Sequence, residues 1–444
     1  MDLEFSPLSI LLNILIILFI FVRIVQRLKS ENPALRLPPG PRKLPLIGNM
    51  HQLVGSLPHH SLTNLAKKHG SLIHLKTGAV SNIVISSPEL AKEALKTNDI
   101  IFASRSCLLV SKIMSYDSTN IVFSPYGNYW RQVRKICVTE LLSSKRVESF
   151  RKVREEEVSN LVKTIFLSEG LPINLSKKIF SLTYGIISRA AFSEKCREQE
   201  AFISIITEAS KLSGSFTVAD MYPSFRLLEL IKPSIHFQDM FSAGSETSSI
   251  TIEWTLAEML KNTRIMEKAT NEVRQVFDGR GNVDEAGIHE LKFLKAVIKE
   301  TLRLHPAVPL ILREYRNNCK LNGYDIPIKS KVLVNAGAIG RDPNYWNDAE
   351  TFYPERFLES SIDLKGTDFK YIPFGAGRRI CPGISFALSN IELPIAQLLY
   401  HFDWKLPHGM KPEELDMTEA LGLSIRRRHE LFAIPIPYHP LPVN

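Results

Sequence analysis

The chain has 444 residues, 55 Lys and Arg against 46 Asp and Glu, and a formal net charge of +9. An apolar fraction of 44% and a charged fraction of 23% are those of an ordinary globular chain, and 22 Gly and 26 Pro exclude a collagen-like or low-complexity polymer. The basic excess suits an acidic partner or a membrane surface, but it forms no basic stripe, so no nucleic acid is expected as a partner. The cysteines, Cys107, Cys137, Cys196, Cys319 and Cys381, are odd in number and scattered. That argues against a disulfide framework and for a reducing compartment.

Residues 1–22 read as a transmembrane anchor. Between Glu4 and Arg23 lie 18 uncharged residues, FSPLSILLNILIILFIFV. As a helix they span about 27 Å, close to one bilayer core. A cleaved signal peptide would need a basic start and a small-residue cleavage site, and neither is present. Residues 23–45 form a basic, Pro-rich hinge, with Arg23, Arg27 and Lys29 followed by Leu37-Pro38-Pro39-Gly40-Pro41. Acidic residues before the span and basic ones after it put the body, 46–444, on the cytoplasmic side.

Within the body, Leu72 to Ser86 alternates and predicts a small sheet. From Tyr126 onward helical periods dominate. Trp130 and Arg134 share one helix face. By themselves they read as a buried Trp and a solvated Arg. Asn174-Leu175-Ser176 is a glycosylation sequon that would go unused in the cytoplasm. A long helix is predicted over about 234–261, with Ala243 and Thr247 of Ala243-Gly244-Ser245-Glu246-Thr247 on one face. Alone, that segment reads as an exposed acid and a back-bonded Thr. Glu300 and Arg303 stand i, i+3 on a further helix, where an isolated pair is usually a weak surface contact. Asn322-Gly323 suggests a hairpin, residues 331–336 a strand, and Pro354-Glu355-Arg356-Phe357 follows. The fold class is mainly α with small β-sheets (α+β). No strand–helix alternation points to a doubly wound sheet. Gly375-Ala376-Gly377 fails as a dinucleotide fingerprint because Ile380 replaces the third small residue. No nicotinamide or flavin is therefore expected on the chain.

Residues 374–383 read FGAGRRICPG. Pro382 suits the first turn of a helix that continues with Ile384, Ala387, Leu388, Ile391, Ile395 and Leu398 on one apolar face. Cys381 then sits at a helix N-terminus, where free amides and the dipole favour a thiolate. Gly377 and Gly383 would let backbone approach a flat group closely.

Phe374, Gly377, Arg379, Cys381 and Gly383 fit F-x-x-G-x-R-x-C-x-G. Together with the four earlier segments in their order, this loop resembles the cytochrome P450 family of haem-thiolate monooxygenases. Within it the chain looks like the plant microsomal terpenoid and alkaloid hydroxylases. The resemblance implies a cytochrome P450 fold with an N-terminal transmembrane helix, and haem b (iron protoporphyrin IX) held axially by Cys381. It implies that Trp130, Arg134 and Arg379, with Arg313 as a further candidate, meet the haem propionates. Phe374 would shield the sulfur. Ala243 and Gly244 would border the haem, with Gly244 widening the helix for O2 and water. Thr247 would donate a hydrogen bond and Glu246 relay protons in oxygen activation. Glu300, Arg303 and Arg356 would form a buried structural network behind the Cys loop.

The resemblance also implies an apolar, terpenoid-like plant substrate and electrons from a membrane-bound NADPH–cytochrome reductase. The location would be the endoplasmic reticulum membrane, single-pass, with the catalytic domain facing the cytoplasm. Candidate pocket segments are 115–122, 241–247, 307–311 and 421–423. Arg426-Arg427-Arg428 reads as a solvated turn rather than the reductase dock. A haem-thiolate isomerase or dehydratase is a rival, but Glu246 and Thr247 count against it.

Two departures stand out. Gly337 occupies a position where related plant sequences usually carry Trp. Only about ten residues, 226–235, separate Phe225 from the oxygen helix, where the family places the helices that roof the substrate pocket. Pro233 prevents the helix from running further back intact. The chain is either a mis-spliced or mis-assembled gene product or a real variant with a damaged, catalytically impaired haem site.

Overall fold

A computed structural model describes residues 35–106, 115, 117–194, 239–317 and 319–439, with single positions at 15, 204, 205 and 208. The rest of the proposed anchor, Cys107, Cys196 and the shortened stretch 226–235 lie outside the described residues. Among the described residues no helix is long and apolar enough to cross a membrane.

Among the described residues, eight helices of nine or more residues carry the body: α1 (Pro58–His69), α2 (Asn128–Ile136), α3 (Arg151–Phe166), α4 (Leu175–Phe192), α5 (Asp239–Lys261), α6 (Thr263–Phe277), α7 (Lys292–Leu304) and α8 (Ile384–His401). The helix expected over about 234–261 is described from Asp239. At the centre lies α8, which touches α3, α5, α6 and α7. Its sequence explains this position. From Ile391 to Leu399 it is apolar nearly all round, with Ile391, Leu393, Ile395, Ala396, Leu398 and Leu399 buried. Such a helix is stable only when enclosed on every side. The first turns differ: Ile384, Ala387 and Leu388 are only half-buried. The apolar face predicted over Ile384–Leu398 thus closes on protein only in its second half.

The main sheet joins β1 (Leu72–Thr77), β2 (Val80–Ile85), β3 (Leu310–Glu314) and β4 (Lys331–Asn335) in the order β1-β2-β4-β3. Only β2 and β4 run parallel, with Ile83 opposite Val332. The expected alternation is present, but both faces are covered. Ile73, Leu75 and Val84 meet Leu62 and Leu65 of α1, while Leu72, Ile83 and Ile85 meet Leu90 and Phe102. A sheet coated on both sides reads as nearly continuous burial. The expected hairpin is formed: Asn322 (φ 49°) and Gly323 (φ 75°) join Lys320–Leu321 to Tyr324–Asp325. Two positive φ values in a two-residue loop are what Asn-Gly supplies at least cost. The sequon is occupied structurally. Asn174 Oδ1 caps α4 by accepting from Lys177 N, and Ser176 Oγ donates to Glu253.

Buried ionisable groups in this core tie stability to pH. On α8, burial pushes the Glu392 carboxyl up to about 7, against the pull of Lys295 and with a push from Glu285. A carboxyl raised above its ordinary 4.5 holds its proton more tightly in the folded chain. Its contribution to stability is complete below that value and is lost as pH rises through about 7. Glu392→Gln is therefore expected to melt above the wild type at about pH 8, with the gain vanishing near pH 4.5. Thermal melts at the two pH values check this; equal melting at the higher pH contradicts it.

Candidate active site

The Cys loop is built from a short 3-10 turn, Gly377–Arg379, followed by Cys381 ahead of α8. Cys381 N donates to Phe374 O at 3.0 Å and closes the loop. Because α8 begins at Ile384 with Gly383 as its cap, Pro382 precedes the helix instead of opening its first turn. Gly377 is demanded by its surroundings. Its φ is +69°, and a Cβ there would lie 2.0 Å from Leu95 O. Among the described residues, the close approach this glycine permits is to the backbone of Leu95. At Gly383 a Cβ would meet only Cys381 Sγ, at 4.0 Å, an ordinary contact.

Burial pushes the Cys381 thiol up, outweighing the Gly383 N–H at the sulfur and the Arg134 charge, both of which pull it down. The Gly383 N–H at the helix start does not by itself offset that burial. A metal ion on the sulfur would, since ligation requires the deprotonated form.

Four arginines surround this loop. Arg379 donates to Ala103 O at 2.8 Å and to Ser124 O, and its guanidinium lies 4.0 Å from the centre of the Trp130 ring. Trp130, buried on α2, donates its Nε1 hydrogen to Ile121 O at 3.0 Å. One turn on, Arg134 stands 6.0 Å from the same ring. Arg313 on β3 is fully buried and reaches only Leu312 O at 3.0 Å and Ala376 O at 3.5 Å. The fourth, Arg105, was not singled out from the sequence. It donates to Leu312 O at 2.8 Å, and its Nε has no partner among the described residues. The bridge between Ser104 and Glu314 sets it beside β3.

Among the described residues none of the four makes an ion pair. The nearby Asp99 pairs instead with Arg378, at 3.4 Å. Burial, with the neighbouring cations, pulls Arg379 down to about 9 and Arg313 well below its ordinary range. Burial alone brings Arg105 down to about 10. Uncompensated buried charge is costly, so this cluster is built for an anion. A thiol, flanked by half-buried apolar turns of α8 and by guanidinium groups without carboxylates, fits an iron macrocycle bearing acidic side arms.

Behind the loop, Glu300 and Arg303 of α7 have no exposed side-chain surface. They pair through two bonds of 2.7 Å, and Arg356 joins Glu300 at 3.1 Å. Tyr353 N also donates to Glu300, at 2.8 Å. Arg303 spends its remaining donors on Gly340 O, Ala349 O and Thr351 O. The structure therefore brings Glu300, Arg303 and Arg356 together as one buried network.

On α5, Glu246 is buried and Thr247 half-buried, while Ala243 is exposed. The acid is thus not on the solvated face. Thr247 Oγ1 donates to Ala243 O at 2.6 Å. Gly244 does not widen the helix. α5 runs unbroken, and a Cβ at Gly244 would lie 2.8 Å from Ile187 Cδ1, so the glycine admits α4 at close range. Among the pocket segments, Ala307 packs with Ile250 and Trp254, and Ile311 belongs to the sheet core. Ser115 is buried, and Leu421 is exposed. The Arg426–Arg428 run is not a solvated turn: Arg426–Arg427 pairs with Glu419–Ala420, and Arg427 is buried over Trp254.

A cytochrome P450 family model matches residues 38–240 and 234–431. The chain belongs to the cytochrome P450 family. It is 48% identical to cytochrome P450 71D10 of Glycine max, covering 98% of each chain. It is 48% identical to tabersonine 16-hydroxylase 2 of Catharanthus roseus (95% of this chain, 96% of that one) and 45% identical to premnaspirodiene oxygenase of Hyoscyamus muticus (95% and 97%). The fold agrees with that of a zebra fish cytochrome P450 solved with abiraterone, at a TM-score of 0.73 and 23% identity over 87% of this chain and 100% of that one. This P450 is thus a haem-dependent monooxygenase by family, an oxidoreductase that incorporates oxygen into a small molecule. The match to the Glycine max protein spans 502 aligned positions against 444 residues here, so at least 58 positions have no counterpart in this P450.

Proposed function

We propose that this P450 hydroxylates an apolar, terpenoid- or alkaloid-like plant metabolite, and that Cys381 would hold haem b through its sulfur. The observation that carries the assignment is a thiol under the charge of Arg134, in a loop bordered by Arg105, Arg313 and Arg379, with no carboxylate paired to any of the four among the described residues. When bound, the haem supplies dioxygen reduction and oxygen transfer, with a thiolate ligand favouring O–O cleavage. The chain's own residues do the rest. Arg105, Arg134, Arg313 and Arg379 would hold the acidic side arms of the haem, and Trp130 holds Arg379 in place by its ring face. Phe374 and the closed loop keep water from the sulfur. Glu246, buried beside Thr247, holds a proton near the site, and rotation of the Thr247 hydroxyl away from Ala243 O frees its hydrogen for donation. Glu300, Arg303 and Arg356 hold the segment behind the loop without touching substrate.

Residues 1–22 are proposed as the anchor in the endoplasmic reticulum membrane, residues 23–45 as the hinge, and an NADPH–cytochrome reductase as the electron donor. The pocket roof is proposed to be shortened near 226–235. Two observations support this: the family matches meet there, at 234–240, and the alignment to the Glycine max protein leaves positions unmatched. A shortened roof admits water and loosens apolar substrates. Two of the relatives named above are an oxygenase and a hydroxylase, which favours this reading over a non-catalytic product. Incubation with reductase, NADPH and a panel of sesquiterpenes and monoterpene indole alkaloids tests it. Oxygenated product accompanied by excess NADPH consumption is expected. Product from neither class, with haem fully bound, contradicts the substrate assignment.

A further inference from the structure

Away from the Cys loop, a cavity of about 610 Å³ lies between the first turn of α1 and the segments after α7. None of Cys381, Arg134, Arg313 or Arg379 lines it. At its edge His59 Nε2 and His60 Nε2 both point at one oxygen, Glu419 Oε2, at 2.9 and 2.8 Å. The three donor atoms lie within 4.8 Å of one another. We propose that His59, His60 and Glu419 form a binding site for a divalent transition metal of the zinc class, with an open coordination position facing this cavity.

Several features support the assignment. Two imidazoles and a carboxylate are a donor set that zinc takes at about 2.0–2.2 Å, leaving a fourth tetrahedral position for water or a ligand. In that geometry the donors stand about 3.3–3.5 Å apart, so only small side-chain rotations are needed. Each imidazole gives up its hydrogen bond to Oε2 and turns its Nε2 lone pair to the metal. The cluster is neither a loose surface group nor closed to solvent. His59 and Glu419 keep only 7% and 11% of their side chains exposed, while His60 keeps 45% and leaves an entry path.

The scaffold is fixed on both sides. His59 O accepts from Asn335 Nδ2 at 2.9 Å and from Thr63 Oγ1 at 2.7 Å, while Glu419 lies in a strand paired with Arg427. Gly337 lines the cavity without adding a side chain to it, and Pro306, Pro309, Ala338 and Ile425 form apolar walls. A small donor molecule with an apolar body would fit the fourth position. The site also links positions 360 residues apart in sequence, so an occupied metal fastens α1 to the C-terminal region.

The test uses the full-length holoprotein without a histidine tag, dialysed against micromolar zinc chloride. The expected result is one zinc per chain by elemental analysis. Its X-ray absorption spectrum should show a nitrogen and oxygen shell at about 2.0–2.1 Å, including imidazole scattering, and no sulfur shell at about 2.3 Å. His60→Ala and Glu419→Gln should each weaken binding by about 10-fold or more, whereas His51→Ala should not. Absence of stoichiometric zinc, a sulfur shell, or unchanged binding in His60→Ala would overturn the proposal. If either variant fails to fold, the wild-type absorption spectrum decides alone.

Discussion

Cys381→Ala is expected to reduce monooxygenation to background while Cys137→Ala retains it. The pair is informative because both thiols are close to the same guanidinium. Cys137 follows Arg134 along the same helical run, is buried, and feels the charge of Cys381. Burial pushes both thiols up. They differ in what faces them. Cys381 lies at the end of a loop closed on Phe374 and ahead of the half-buried turns of α8, whereas Cys137 has 2% of its surface exposed. A thiol that cannot reach a cofactor cannot ligate it. Product formation per unit protein, with reductase and NADPH, measures the effect. Activity surviving Cys381→Ala, or lost equally in Cys137→Ala, contradicts the assignment.

The second large effect is on stability. Glu300→Ala is expected to cost about 3–5 kcal/mol, because it leaves buried Arg303 and the nearly buried Arg356 without their shared carboxylate. It also strands Tyr353 N–H. Arg356→Ala should cost less, since Glu300 keeps its two bonds to Arg303 and the removed side chain was 10% exposed. Chemical unfolding of the three proteins, followed by far-ultraviolet circular dichroism, tests that order. Equal stability of Glu300→Ala and the wild type would remove the network from the account.

What was legible in the sequence was local. The i, i+4 spacing of Trp130 and Arg134, the i, i+3 spacing of Glu300 and Arg303, and Asn322-Gly323 each specify a short-range geometry, and each is present. What was not legible depends on long-range packing. Arg105 carries no periodic signal; its place comes from a bridge to a strand about two hundred residues further on. Gly244 resembles a helix-widening residue until Ile187 of α4 is seen against it. Arg427 looks solvated within a run of three arginines, yet the ladder to Glu419 turns it over Trp254. The state of the Cys381 thiol depended on burial competing with the helix terminus, a contest that spacing cannot decide.

The central claim, a thiolate-ligated haem held by Cys381 beside four arginines that pair with no carboxylate among the described residues, is tested most directly by a carbon-monoxide difference spectrum of the dithionite-reduced wild-type protein. The account predicts the red-shifted Soret band of thiolate ligation. A spectrum with only the unshifted band of nitrogen-ligated haem, or no haem band at all, would contradict it.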